Sequence, residues 1–402
     1  MLTKFKQSYD VARTLVHCLL SLSNTYTSSN NDAMKSVISF ASLLLVGLIL
    51  GPQVQSQSPV IDTGRIDGAM YRIIIPENWN HNLVMYAHGY MPPQDPNTPQ
   101  TFHNPRGDQR LQPFLERGFA VARSAYRKTG WALVEGVDDT EALRIYFFET
   151  YGKPDTCFIT GHSMGGGITV ATVENLGQHY QGALPFCPLA GRPYLQTKLA
   201  FDMNAVFAVF YPGVLPALKE VTAGRSEPAS LEKIEGAIAE DTLAAAMMAR
   251  RYDLKPGDLA FVTFFNDVVI RDISGLAGAN PFDNTNTVYT GFDDDWAVNQ
   301  KVERLAADPD AADIFKKYDR SGNLVIPTLL VHTIYDQLIT PSYAVAPIDN
   351  LAQQQGKKNN LVVLYTRGQG HCNFTNEETG RAFDILRQWV HTGKRPRAGI
   401  LD

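Results

Sequence analysis

Ser163 stands between two glycines in Gly161-His162-Ser163-Met164-Gly165, a G-x-S-x-G spacing that could make its hydroxyl a nucleophile. The residues before it, Thr156-Cys157-Phe158-Ile159-Thr160, read as a short strand, and those after it open a helix. A turn this tight between strand and helix lifts the serine above the sheet. It also aims the first N–H groups of the helix at whatever sits over the hydroxyl. Flanking side chains would collide with the neighbouring backbone, which is why glycines are needed there. Chance alone would supply such a pentapeptide in on the order of one chain in ten of this length. The chemistry therefore depends on partners: a base, an orienting acid and two N–H donors for a developing oxyanion.

Each partner can be sought where an apolar strand run ends. Asp336 is the first carboxylate after the run Leu324 to His332, in Thr333-Ile334-Tyr335-Asp336-Gln337-Leu338-Ile339-Thr340-Pro341. His371 is the histidine of Arg367-Gly368-Gln369-Gly370-His371-Cys372-Asn373, and the glycines before it let the loop bend inward. A lone loop aspartate is ordinarily solvated or caps a helix, and a lone loop histidine is no stronger a signal. It is their position after successive strands, in the order Ser, Asp, His, that singles them out. The N–H of Met164 is one expected oxyanion donor. The N–H of Tyr90, in His88-Gly89-Tyr90 after the run Asn82 to Ala87, is the other, although His-Gly-Tyr also suits a plain strand-ending turn. His162 occupies the variable elbow position and His332 reads as a core residue.

The elements that must position these groups alternate. Strands are expected at Ile66–Pro76, Asn82–Ala87, Phe119–Tyr126, Thr156 to the elbow, Ala183–Cys187, Leu324–His332 and Asn360–Tyr365. Helices are expected at Gln109–Arg117, at Val137–Tyr151 with Asp138, Asp139 and Glu141 in its first turn, from the elbow to Gln178, at Ser342–Gln355 and at Glu377–Val390. This pattern predicts an α/β fold, a mostly parallel sheet flanked by helices, with ligands at the carboxyl ends of the strands. Between the two α/β stretches, 60–191 and 320–395, residues 192–319 show helical spacing without strand alternation. They read as a large, mainly helical lid or cap insertion, because a connection that long does not otherwise fit a compact sheet.

Composition narrows the class further. Of 402 residues, 44% are hydrophobic and 19% charged, with a net charge of -5, so no basic surface for nucleic acid or anionic membrane is indicated. Met34-Lys35, an apolar run from Val37 to Leu50 and the exit Gly51-Pro52-Gln53-Val54-Gln55-Ser56 read as a secretory signal peptide over 34–56. The run is short for a membrane span. A secreted or periplasmic location follows, with an uncleaved N-terminal anchor as the alternative. Residues 1–33 read as a non-native extension upstream of a true start at Met34. Cys18 lies in that extension, leaving Cys157, Cys187 and Cys372. Cys187 ends a strand and Cys372 follows His371. A disulfide between them would tie the histidine loop to the sheet, and three buried thiols are the alternative.

His88-Gly89-Tyr90, Gly161-His162-Ser163-Met164-Gly165-Gly166, Asp336-Gln337-Leu338-Ile339-Thr340-Pro341 and Gly370-His371 together resemble the secreted α/β-hydrolase fold serine hydrolases, over roughly 60–395 apart from the insertion. In one departure, the acid loop of that family more often has proline one position closer to the aspartate. The resemblance implies an esterase acting on a small-molecule ester through an acyl-enzyme, with Ser163, Asp336 and His371 as its triad. An exopeptidase or amidase on the same fold is the alternative. The peptidase would need a lid carboxylate facing the substrate amine, and Glu232, Glu235, Glu240 and Asp241 are the candidates. A serine nucleophile argues against the epoxide- and haloalkane-cleaving relatives, which use a carboxylate there. No cofactor or metal is expected, and Asp293-Asp294-Asp295 suits a solvated loop or helix start better than a cation site. Trp131 and Tyr90, with aromatics of the insertion, are the expected pocket residues. Nothing in the sequence speaks to oligomeric state.

Overall fold

The computed structural model describes residues 58–93 and 108–401, so the signal-peptide segment and the upstream extension lie outside the described residues. The chain first forms a hairpin, β1 (Val60–Ile66) and β2 (Ala69–Ile75), turning at Asp67 and Gly68. Both turn residues have positive φ, 47° and 88°. Asp-Gly supplies this two-residue turn at low cost because neither position favours a bulky or β-branched side chain. The single strand expected at Ile66–Pro76 is thus the second arm of a hairpin whose first arm the sequence reading missed.

Six further strands follow: β3 (Leu83–Ala87), β4 (Ala120–Ser124), β5 (Cys157–His162), β6 (Gly182–Phe186), β7 (Thr328–Tyr335) and β8 (Leu361–Gln369). With the edge strand β9 (Gly399–Ile400) they form one sheet in the order β1-β2-β4-β3-β5-β6-β7-β8-β9. The β1–β2 and β2–β4 pairings are antiparallel, and the rest are parallel. Strands β3 to β6 are buried along their whole length, as a sheet covered on both faces requires. Their alternating side chains feed two cores. Leu83, Met85 and Ala87 join one, and Val84 and Tyr86 the other.

Helices α1 (Leu133–Tyr151) and α2 (Met164–Leu176) pack into the first core through Val137, Leu143 and Ile168. The C-terminal helix α8 (Asn376–Thr392) packs into the second, where Phe383 meets Phe114, Phe119 and Phe158 edge-on at 4.9, 4.9 and 5.4 Å. A buried phenylalanine there is worth about 1.5–3 kcal/mol in transfer alone. Thr375 caps α8 in a reciprocal box with Glu378.

Several boundaries differ from expectation. Helix α1 begins at Leu133, so Asp138 and Asp139 sit in its second turn. There they pair with Arg127 at 3.1 and 2.6 Å instead of serving the helix dipole. Strand β7 starts at Thr328 and runs through Tyr335, putting Asp336 at its very end. Strand β9 was not expected, and it carries the sheet past residue 395. Between β6 and β7 the chain is helical and loop-like, and no strand occurs there among the described residues. The principal helices are α3 (Pro193–Phe210), α4 (Leu231–Glu240), α5 (Thr242–Arg251) and α6 (Leu259–Ala277). Helix α7 (Pro341–Gln354) follows β7. The run Asp293-Asp294-Asp295 opens a short helix, with Asp294 accepting from the Ala297 N–H at 2.9 Å. No helix among the described residues is long and apolar enough to cross a membrane.

Candidate active site

Ser163 links β5 directly to α2, with φ 60° and ψ -124°. A non-glycine residue seldom holds that conformation, and the surroundings must enforce it. They do so through the backbone. The Ser163 N–H donates to Phe186 O at 3.1 Å, while the Gly167 and Leu189 N–H groups donate to Ser163 O at 3.0 and 3.1 Å. The fully buried Arg320 then donates to Gly167 O and Leu189 O at 2.8 and 3.1 Å, fastening the same two segments. Gly165 has no room for a side chain: a Cβ would lie 2.1 Å from Ala87 O. Beneath the turn, His162 stacks on Phe186 with ring centroids 4.7 Å apart and pairs through Nδ1 with the Tyr86 hydroxyl at 3.2 Å. Burial holds its pKa well below the ordinary value.

His371 Nε2 lies 2.9 Å from Ser163 Oγ, and His371 Nδ1 lies 2.8 Å from Asp336 Oδ2. Asp336 is fully buried, and its Oδ1 accepts from the Leu338 and Ile339 N–H groups, each at 2.9 Å. Burial alone would raise its carboxyl. The charge and hydrogen bond of His371, with the Ile339 N–H, outweigh that and hold it below the ordinary value. The His371 N–H donates to Gln337 Oε1 at 2.9 Å, so the acid loop fixes both the backbone and the ring of the histidine. Cys372, the next residue, is joined by a disulfide to Cys187 in the turn after β6, and Cys157 is a free, buried thiol. The structure therefore brings Ser163, His371 and Asp336 into one hydrogen-bonded line at the carboxyl ends of β5, β7 and β8.

Met164 is the first residue of α2, where an N–H has no partner within its own helix. The His88–Tyr90 segment passes over the elbow so closely that a Cβ on Gly89 would lie 3.1 Å from His162 O and 3.3 Å from Ser163 Cβ. Tyr90, Met164, Ser163 and His371 all face a cavity of about 80 Å³. Trp131, Leu189, Phe265, Val269, Leu338 and Ile339 supply its apolar wall, so Trp131 stands where a pocket residue was expected. Gln196 also lines it, and its Oε1 is buried without a hydrogen-bond donor. Among the described residues that line the cavity there is no lysine, arginine or carboxylate.

The lid acids weighed as amine-binding groups stand elsewhere. Glu232, Glu235 and Glu240 are exposed, and Asp241 caps α5 by accepting from the Ala244 N–H at 3.0 Å. The acid beside the cavity wall is Asp272, on α6, which accepts from the Trp131 N–H at 2.6 Å. Sequence reasoning passed over it because an aspartate within a helical run carries no spacing signal.

A mostly parallel sheet in this strand order, with an antiparallel second strand and a serine elbow closing the fifth, is the α/β-hydrolase fold. No family model matches the chain. Among curated proteins it is similar to the o-phthalyl amidase of Xanthobacter agilis, 22% identical over a gapped alignment of 408 positions that spans 82% of this chain and 87% of that one. Among solved structures it is similar to a Pyrococcus furiosus esterase, with TM-score 0.43 and 13% identity over 85% of this chain and 94% of that chain. It is similar to feruloyl esterase B of Aspergillus oryzae, with TM-score 0.46 and 14% identity over 84% and 80%. It is also similar to a proline iminopeptidase of Mycobacterium smegmatis, with TM-score 0.43 and 15% identity over 83% and 100%.

Proposed function

We propose that this chain is a serine hydrolase that cleaves carboxylic esters through an acyl-enzyme. The observation that carries the reading is the unbroken line from Ser163 Oγ through His371 Nε2 and Nδ1 to Asp336, ending on a cavity. His371 takes the hydroxyl proton as Ser163 Oγ attacks the ester carbonyl. Asp336 keeps Nδ1 protonated, so that Nε2 is the free acceptor, and stabilises the imidazolium that forms. The N–H groups of Tyr90 and Met164 receive the oxyanion. The tetrahedral species collapses, the leaving alcohol takes the proton from His371, and water repeats the sequence to release the acid.

The cavity favours a compact, uncharged acyl group. Its volume is about 80 Å³ and its wall is largely apolar. Among the described residues its lining offers no cation to pair with a carboxylate, and burying an unpaired charge is costly. Residues 192–319 supply Gln196, Phe265 and Val269 to the wall, which supports a lid role in acyl selection. The Cys187–Cys372 disulfide supports export to an oxidising compartment. A second reading, amide cleavage by the same machinery, is favoured by the amidase relative. An aminopeptidase is disfavoured, because no carboxylate among the described residues lines the cavity to hold a substrate amine.

The test is a panel of p-nitrophenyl esters, from acetyl and butanoyl to benzoyl and dodecanoyl, beside the matching nitroanilides, with wild type and Ser163→Ala. Butanoyl or benzoyl ester turnover that falls by about 10⁴-fold or more in the variant is expected. Equal activity in the two proteins refutes the mechanism, and anilide turnover without ester turnover replaces the esterase by the amidase.

A further inference from the structure

We propose that Asp272 is a positioning residue that fixes the Tyr90 amide for its work as an oxyanion donor; the inference rests on the serine-hydrolase reading above. Helix α6 turns one face to the cavity, with Phe265 and Val269 in the wall and Asp272 two turns beyond Phe265 on the same face. Tyr90 packs edge-on against Phe265, with ring centroids 5.7 Å apart. Asp272 then reaches past the aromatic layer to the backbone of the loop after β4.

Three observations converge on that carboxylate. Its Oδ2 accepts from the Trp131 N–H at 2.6 Å. Gly130 has φ 76°, and a Cβ there would lie 2.5 Å from both carboxylate oxygens, so the glycine makes room for the acid. Gly130 in turn forms a backbone bridge with Met91, its N–H donating to Met91 O at 2.8 Å. The chain of contacts therefore runs from Asp272 through Gly130 and Met91 to Tyr90, the residue next in line. Arg271, the sequence neighbour, is occupied by Asp267 at 2.7 Å and does not neutralise Asp272. Burial raises the Asp272 carboxyl above its ordinary value despite the Trp131 N–H and the facing Tyr90 hydroxyl. The same acid, after burial, raises Tyr90. One side chain of the insertion thus holds the loop after β4 directly and reaches the Tyr90 loop through the Gly130–Met91 bridge.

Oxyanion donors act only when they are held where the charge develops, and losing one costs about 10²–10³-fold in turnover. Asp272→Ala should lower kcat on the best p-nitrophenyl ester by about 100-fold and leave KM within about threefold. Asp272→Asn keeps an oxygen for the Trp131 N–H and should stay within about tenfold of wild type. A trifluoromethyl ketone, which forms the tetrahedral adduct with the serine, should lose affinity for Asp272→Ala in parallel with kcat/KM. Should Asp272→Ala fail to fold, Gly130→Ala displaces the same carboxylate and should show the same loss of kcat. Wild-type kcat in the folded alanine variant, a loss confined to KM, or an asparagine variant as impaired as the alanine one overturns the proposal. Undiminished activity in Ser163→Ala fails the underlying reading instead, so the two failures are distinguishable.

Discussion

Reducing the Cys187–Cys372 disulfide is the perturbation whose size follows most directly from the chain path. The two cysteines are 185 residues apart in sequence. In the chain-entropy model a closed loop of that length removes about 18 cal/mol/K from the unfolded chain, or about 5 kcal/mol at 25 °C. Unfolding entropy is about 2.1 cal/mol/K per residue. Over the compact unit Ser58–Asp402, this loss corresponds to a Tm lower by about 7 °C. Differential scanning calorimetry with and without a phosphine reductant measures it, with mass spectrometry of alkylated protein to show that both thiols are free. Activity should fall by less than about tenfold. Asp336 and Gln337 hold His371 by three hydrogen bonds that do not involve sulfur. An unchanged Tm in fully reduced protein would refute the loop argument, and complete loss of turnover would refute the claim that the acid loop alone suffices to place His371.

Two further outcomes follow from the site. Asp336→Asn keeps an oxygen for the Leu338 and Ile339 N–H groups but offers His371 Nδ1 a donor, forcing the proton onto Nε2. The base can then no longer accept from Ser163, and kcat should drop about 10³–10⁴-fold with Tm little changed; a drop below tenfold removes Asp336 from the mechanism. His88 stacks on Tyr126, its Nε2 is buried without a partner, and burial lowers its pKa to about 4. The unfolded chain therefore takes up this proton near pH 6.5 and the folded chain only near 4. Stability from this group is complete above pH 6.5 and is lost as the pH falls towards 4, by up to about 3 kcal/mol. Urea midpoints between pH 7 and 4 for wild type and His88→Phe measure it, and identical slopes would exclude His88 as the source.

What could be read from the residues was the chemistry-bearing punctuation. The elbow glycines are dictated by backbone contact, as Gly165 against Ala87 O illustrates. The Asp and His loops follow strands whose apolar runs are unmistakable. The misses have a common physical cause: the deciding interactions are tertiary. Strand β9 is two residues long and exists only because β8 offers an edge and Leu401 is buried against the second core. Helix α1 starts a turn early because Trp131 and Leu133 are drawn into the core beside it. The β1 segment VIDTGRI carries little apolar signal, and the Asp67-Gly68 turn was the available clue. Asp272 looks like any exposed helical acid until Gly130 is folded against it.

Ser163 and His371, the pair proposed to react, are 208 residues apart in the chain. At about 5–20 residues per second, a ribosome that has just released the elbow needs about 10–40 s more to make the histidine. Throughout that interval the nascent protein carries a serine without a base, a hydroxyl no more reactive than any other. On the proposed mechanism its maker meets the finished chemistry only after β8 has been made. The insertion that will line the cavity is synthesised inside that safe interval.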